Sequence, residues 1–421
     1  MDERRATRPR HMEDRELRPY ELLTLQGTRR GGPVLARSPP ETYSTAHVSF
    51  TLPALFPSDA TPVRVDVCGR TDVGRTREHN EDAYLVADVS AGSPLPSGGV
   101  SGYPARGHGL LFMVADGMGG AAAGEIASDM AVQTVLDELA NRWSRRTELP
   151  PPAFARALRE AAEEANRRIH HCATEHPEYR GMGTTATIAG LLGDTLYVAQ
   201  VGDSRAYLVR AGRALQITKD QSLLQRLVEA GELTEEEAER SARRNIILQA
   251  LGPEERVVID LTHQQVRRGD VLILCSDGLS NLVRPEDIER LVAETPGPCE
   301  LCDALIDAAN ASGGPDNITV VAVRFEGEGL EEAHDGDEVG HRRFVEDGVP
   351  EPDPDDWVMG PISTSETPVS TEEVAETDAQ SRPPGVVPRE KGPAVVRALR
   401  LATIATLAVI VGGLLWRWLA A

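Results

Sequence analysis

An α+β domain built on antiparallel sheets is the fold class that this 421-residue sequence predicts, and three observations carry it. Strand-like and helical runs alternate only partly, whereas a doubly wound parallel sheet would alternate them throughout. The stretch TLYVAQVGDSRAYLVR has the spacing of two strands pairing antiparallel around Gly202-Asp203. Several apolar runs stop abruptly on an acid beside glycine, the first being LLFMVADGMGG at 110–120.

In chain order, period-2 and fully apolar runs predict strands at 84–87, 110–115, 185–191, 196–201, 206–210, 271–275 and 318–323. Helical periodicity predicts helices at 124–143, 152–175, 222–242, 285–294 and 300–311. The segment VSAGSPLPSGGVSGYPARGH at 89–108 reads as a surface insertion. These elements fill one globular domain at 62–326. A Pro/Arg-rich, disordered leader is expected at 1–61, an acidic Pro/Ser/Thr-rich disordered linker at 327–393 and a C-terminal transmembrane anchor at 394–421.

Charge and composition narrow the function. The chain carries −22, and 18 Asp or Glu against two Arg between Glu326 and Ser381 account for −16 of it. Acidity therefore belongs to the tail, and nucleic acid is excluded as a partner. With aromatics at only 4%, the core must be packed by Val, Leu, Ile and Ala. Five cysteines form no disulfide framework, and Cys299 and Cys302 in PCELCDALIDAAN read as one face of a helix in a reducing compartment. No apolar leader marks a secretory signal. The run LATIATLAVIVGGLLW at 401–416 lacks charge and is followed by Arg417 and Trp418, which suit an interface; a buried core helix is the alternative. Arg389, Lys391, Arg397 and Arg400 precede the run, so the domain is expected on the cytoplasmic side of a single-pass membrane anchor.

The acids at strand ends carry the chemistry. Asp116-Gly117 and Asp277-Gly278 close apolar runs, Gly202-Asp203 closes another, and Glu81-Asp82 and Asp316 stand just before strands. Each alone reads as a turn residue. Together, carboxylates converging at sheet ends repel unless a cation neutralises them. All-oxygen donors without His or Cys favour Mg²⁺ or Mn²⁺, and more than three carboxylates suggest two ions. Arg77, five residues before Asp82, supplies a guanidinium that can grip a phosphate dianion; alone it would read as a surface ion pair.

The ordered set DVGRTREHNEDA, VADGMGG, GMGTTATIA, VGDSRAYL, KDQSL, LCSDGLSN and PDNITVV resembles the bacterial branch of the metal-dependent type 2C protein serine/threonine phosphatases. The resemblance covers Val65 to Phe325. It implies a four-layer αββα sandwich of two antiparallel sheets flanked by helices. It also implies Asp116 bridging two metals, Gly117 giving its carbonyl, Glu81 serving the same metal, and Asp277 and Asp316 holding the other. Asp82 would hydrogen-bond metal-bound water, Asp203 would serve a third, weaker site, and Arg77 would bind phosphate. The implied reaction is hydrolysis of phosphoserine or phosphothreonine in proteins by a hydroxide bridging two Mn²⁺ or Mg²⁺ ions, opposing a Ser/Thr kinase at the membrane. Met118 stands where eukaryotic members carry a His, so no general acid is assigned, and DQS at 220–222 replaces the commoner DHS. Three rivals remain at this point: an idle phosphoprotein-binding module, an enzyme for small phosphate esters, and a membrane scaffold.

Overall fold

Two six-stranded antiparallel sheets face each other. The computed structural model describes residues 63–119, 123–143, 150–241, 246–334, 337–345 and 362–363. All of them belong to one unit of the chain, Asp59–Ala421. The leader expected at 1–61 and the anchor expected at 394–421 lie outside the described residues. Among the described residues, no helix is long and apolar enough to cross a membrane.

The strands are β1 (Arg64–Asp72), β2 (Ala83–Asp88), β3 (Ser93–Pro94), β4 (Val100–Pro104), β5 (Leu110–Ala115), β6 (Gly117–Met118), β7 (Gly183–Thr184), β8 (Ala186–Leu192), β9 (Thr195–Val201), β10 (Arg205–Arg210), β11 (Arg213–Gln216), β12 (Ile246–Ile247), β13 (Asp260–Gln265), β14 (Val271–Cys275), β15 (Ile318–Glu326) and β16 (Ile362–Ser363). The helices are α1 (Ala123–Trp143), α2 (Pro151–Glu175), α3 (Leu223–Glu229), α4 (Glu235–Glu239), α5 (Asp277–Ser280), α6 (Pro285–Glu294) and α7 (Pro298–Ala311). One sheet runs β11-β10-β14-β15-β1-β4 and the other β13-β9-β8-β5-β2-β3; the short pairs β6-β7 and β12-β16 stand apart.

Three apolar layers hold the sandwich. Val65, Phe112, Leu208, Leu272 and Val323 meet between the sheets. Behind the β5 sheet lie α1 and α2, and behind the β15 sheet lie α6 and α7. Alanine replaces the missing aromatics: Ala127, Ala131, Ala161, Ala162 and Ala165 are fully buried, so the two long helices seat close to the sheet. Proline at the first turn starts α2, α6 and α7, where the missing N–H costs nothing. The layer order is the αββα sandwich that the family resemblance implies.

Four sequence expectations are corrected. First, β9 and β10 do not pair with each other. β9 pairs with β8 and β13, while β10 pairs with β11 and β14. The Gly202-Asp203 link therefore crosses between sheets, with Gly202 at φ 95° and a Cβ there only 2.7 Å from Thr185 Cγ2. Second, the 89–108 insertion contributes β3 and β4, one to the edge of each sheet. Third, the helix expected over 222–242 is two short helices, α3 and α4, broken at Gly231 and restarted by a Thr234–Glu237 capping box. Fourth, Cys68 and Cys299 form a disulfide with Cα atoms 5.1 Å apart, because the start of α7 lies over β1. Cys302 is a buried free thiol on the inner face of that helix, as its spacing suggested.

The linker boundary also moves. Residues 327–334 and 337–345 pack as a strap rather than as part of a disordered linker. Leu330 is buried, and Val339 and Phe344 pack against the core. His263 N–H donates to the Arg342 carbonyl (2.9 Å) and Phe344 N–H to the Leu261 carbonyl (2.8 Å), covering the outer edge of β13. Asp337 pairs with Arg267 at 2.9 Å, and Asp260 with His341 at 2.5 Å. Net acidity hides these pairings, since their partners lie some seventy residues or more away.

Candidate active site

Strand ends from both sheets meet at one pocket. It is lined by Arg77, Glu81, Asp116, Gly117, Asp203, Asp277 and Asp316, with Met118, Thr185, Ile247 and Asn317. Seven of the eight residues singled out in the sequence are thus brought together. The eighth, Asp82, lies behind the pocket, where its Oδ2 accepts a hydrogen bond from Ser276 Oγ at 2.8 Å.

Backbone crowding explains the first Asp-Gly. The Asp116 N–H donates to Thr185 Oγ1 (2.9 Å) and the Asp116 carbonyl accepts from the Thr185 N–H (2.9 Å), locking the end of β5. A Cβ on Gly117 would stand 2.3 Å from the carbonyls of both Glu81 and Gly124, so only glycine fits between the Glu81 loop and α1. The second Asp-Gly repeats this logic: a Cβ on Gly278 would stand 2.0 Å from the Asn317 carbonyl. Glycine here lets separate backbones carry their acids close together.

Asn317 organises the loop that bears Arg77 and Glu81. Its Oδ1 accepts from the Glu81 N–H (2.8 Å), and its Nδ2 donates to the carbonyls of Val73 (3.0 Å) and His79 (2.9 Å). Gln221 does the same for the crossover. Its Oε1 accepts from the Gly202 N–H at 2.9 Å, and its Nε2 donates to the Val258 carbonyl at 3.3 Å. It is fully buried, which shows why glutamine serves within DQS. Asn317, Ser276, Thr185 and Gln221 were not singled out from sequence; their neighbours in PDNITVV, CSDG, GTTAT and DQS were the available signal.

Crowded charge dominates the electrostatics. Burial pushes the Asp116 and Asp203 carboxyls well above the usual range; Asp82 and Asp277 add repulsion at Asp116, and Asp277 and Asp220 at Asp203. Burial raises Asp82 to about 7, and the Asp277 and Asp316 charges push the same way. Burial and the Asp316 charge raise Asp277 to about 6, against a hydrogen bond with Asp116. Arg77 answers part of this charge, with Nε 2.9 Å from Asp316 Oδ1 and Nη2 3.0 Å from Oδ2. The guanidinium expected to grip phosphate is thus forked on one of the expected metal ligands, in the same pocket.

Among the described residues, no three His, Cys, Asp or Glu side chains form a finished cage for one ion. The residues nonetheless fit hard divalent cations. The donors are all oxygen, their mutual repulsion calls for positive charge, and Asp82 Oδ1 is buried without a partner. Outside the pocket, a groove of about 440 Å³ shares Asp203 and Asp277 with it and runs beneath α3 and α4.

Comparison with known proteins agrees with this geometry. Residues 103–305 match the family model described as protein phosphatase 2C. The chain is 37% identical over 255 residues to the serine/threonine phosphatase stp of Listeria welshimeri, covering 60% of this chain and 93% of that protein. It is 34% identical over 261 residues to protein phosphatase PhpP of Streptococcus pneumoniae, covering 62% and 98%. The solved Mycobacterium tuberculosis serine/threonine phosphatase PstP/Ppp superposes with a TM-score of 0.52 at 35% identity, over 62% of this chain and 99% of that one. A catalytic domain of PstP in complex with two manganese ions superposes at 0.51 with 34% identity, over 63% and 99%. With the sandwich, the acidic pocket and relatives matched over nearly their whole length, the chain belongs to the protein phosphatase 2C family.

Proposed function

We propose that this chain hydrolyses phosphoserine and phosphothreonine in proteins at the acidic pocket, using two Mn²⁺ or Mg²⁺ ions. The observation that carries the reading is the gathering of Glu81, Asp116, Asp203, Asp277 and Asp316 with one guanidinium, Arg77, in a single pocket. The names of the relatives and the manganese in one structural neighbour support it.

In this reading Asp116 would serve both ions, Glu81 and the Gly117 carbonyl would hold one of them, Asp277 and Asp316 would hold the other, and Asp203 would offer a third position. When bound, such ions lower the pKa of water and offset charge on phosphoryl oxygens. The protein's own groups do the rest. Arg77 presents a fork matched to phosphate oxygens, which compete with Asp316 for it. Asp82 Oδ1, buried without a partner just behind the pocket, would accept a hydrogen bond from water held there. Asn317 holds the Arg77 loop in register with the acids. Met118, packed with Ile247 and Ala250, makes an apolar lip and donates no proton to the leaving group.

The same reading extends to the cell. We place the domain on the cytoplasmic face of a membrane, anchored by 394–421, where it reverses the work of a Ser/Thr kinase. The uncharged run at 401–416 and the basic residues before it support this.

Hydrolysis of a phosphothreonine peptide by the full chain tests the catalysis. Mn²⁺ should support turnover, EDTA should abolish it, and Asp277→Asn should lower kcat by roughly a hundredfold or more. Turnover that survives EDTA sinks the reading. Release of the full chain from membranes by alkaline carbonate would refute the anchor.

A further inference from the structure

We infer that the outer edge of β12 is a docking strand for the main chain of extended phosphopeptides, and that Ile362–Ser363 of the chain's own tail occupies it in cis. The inference rests on the phosphatase reading and names how that site takes its substrate.

β12 is two residues long, and its inner edge is already satisfied. Ser222 bridges to Ile247, and the Leu248 N–H donates to the Gln221 carbonyl at 2.7 Å. The outer edge takes β16, antiparallel, with Ile246 opposite Ser363 and Ile247 opposite Ile362. Ile247 is fully buried and lines the acidic pocket. A chain added to this edge therefore runs about 4.8 Å from a strand that forms the pocket wall. Strand addition reads the main chain, so it accepts many sequences while demanding an extended one. That suits an enzyme whose substrates share only a phosphorylated Ser or Thr.

The occupant fits the edge in kind. From Ile362 the tail reads ISTSETPVST, and Ser363, Thr364, Ser365, Thr367, Ser370 and Thr371 all carry hydroxyls. The two residues paired with β12 thus open a Ser/Thr-rich run of the chain. The described strap ends at Val345, 17 residues before Ile362, a span of at most about 60 Å when extended. A tether of that length holds the segment at an effective concentration of order millimolar, enough for a weak two-residue pairing to compete with substrate.

The test compares the full chain with its Ile362→Pro/Ser363→Pro variant, which deletes both tail N–H donors. Amide exchange at Ile246 and Ile247 should be slow in the parent chain and at least about threefold faster in the variant, while that at Leu248, bonded to Gln221, should stay unchanged. KM for an added phosphothreonine peptide should fall by roughly threefold or more as the cis competitor is lost. N-methylation of the amides flanking the phosphothreonine should raise KM again. Unchanged exchange and unchanged KM would overturn the inference. Hydrolysis of para-nitrophenyl phosphate by the parent chain with Mn²⁺ reports separately on the catalytic reading: if it is absent, that reading has failed, and if it is present with flat KM values, only the docking strand has.

Discussion

Gly117 and Asn317 show how single residues set the chemistry. Gly117→Ala forces a Cβ against two carbonyls at 2.3 Å, neither of them a flexible side-chain end. The loop bearing Glu81 must then retreat, and activity should fall by about a hundredfold, as expected for misplacement of about an ångström. Steady-state kinetics with a phosphothreonine peptide checks it. Asn317→Ala removes three hydrogen bonds that hold the Arg77 loop. At about 1 kcal/mol net for each bond, unfolding in urea should show a loss of about 3 kcal/mol. The acids and glycines were legible because Asp-Gly after an apolar run is a local pattern. Asn317 was not, since an asparagine before a strand gives no hint that its partners, Val73 and His79, lie more than 230 residues earlier.

The strap and the crossover set the scale of elements. Residues 327–334 and 337–345 close the edge of β13 and bury Leu330. Leu330→Ala should cost about 2–3 kcal/mol, read as a lowered Tm in calorimetry. Arg267 holds the Asp337 carboxyl below its usual range. For a depressed acid the stabilisation is present above the unfolded pKa and lost as pH falls through the folded value. Protection of the His263 and Phe344 amides, corrected for the intrinsic pH dependence of exchange, should therefore fall on acidification below the ordinary carboxylate range, and protection that stays flat would refute the pairing's role. The sequence read this segment as solvated linker because composition counts net charge and is blind to the arginines of the domain. It likewise paired β9 with β10, because adjacency along the chain is visible and sheet membership is not.

At the scale of the whole molecule, the pocket stores repulsion that cations relieve. Burial raises Asp82 to about 7 and Asp277 to about 6, above the unfolded carboxylate range. For such raised acids the stabilisation is complete below the unfolded pKa and lost as pH rises through 6 to 7. Metal-free protein should lose Tm between about pH 5 and pH 7.5, and saturating Mn²⁺ should restore more Tm at the upper end than at the lower. Scanning calorimetry at the two pH values with EDTA or Mn²⁺ decides it; an equal metal effect at both would count against carboxylate repulsion in the pocket.

By itself, the sequence determined which residues bear the acids, that they stand at strand ends, and that strands and helices alternate only partly. All three follow from local signals: alternation, apolar run length and turn chemistry. Only the tertiary structure decided that the Gly202-Asp203 link joins two sheets, that Arg77 forks onto Asp316, that Cys68 meets Cys299, and that the tail begins as a strap. Each is a pairing between residues remote in sequence, chosen by what else the folded core leaves within reach.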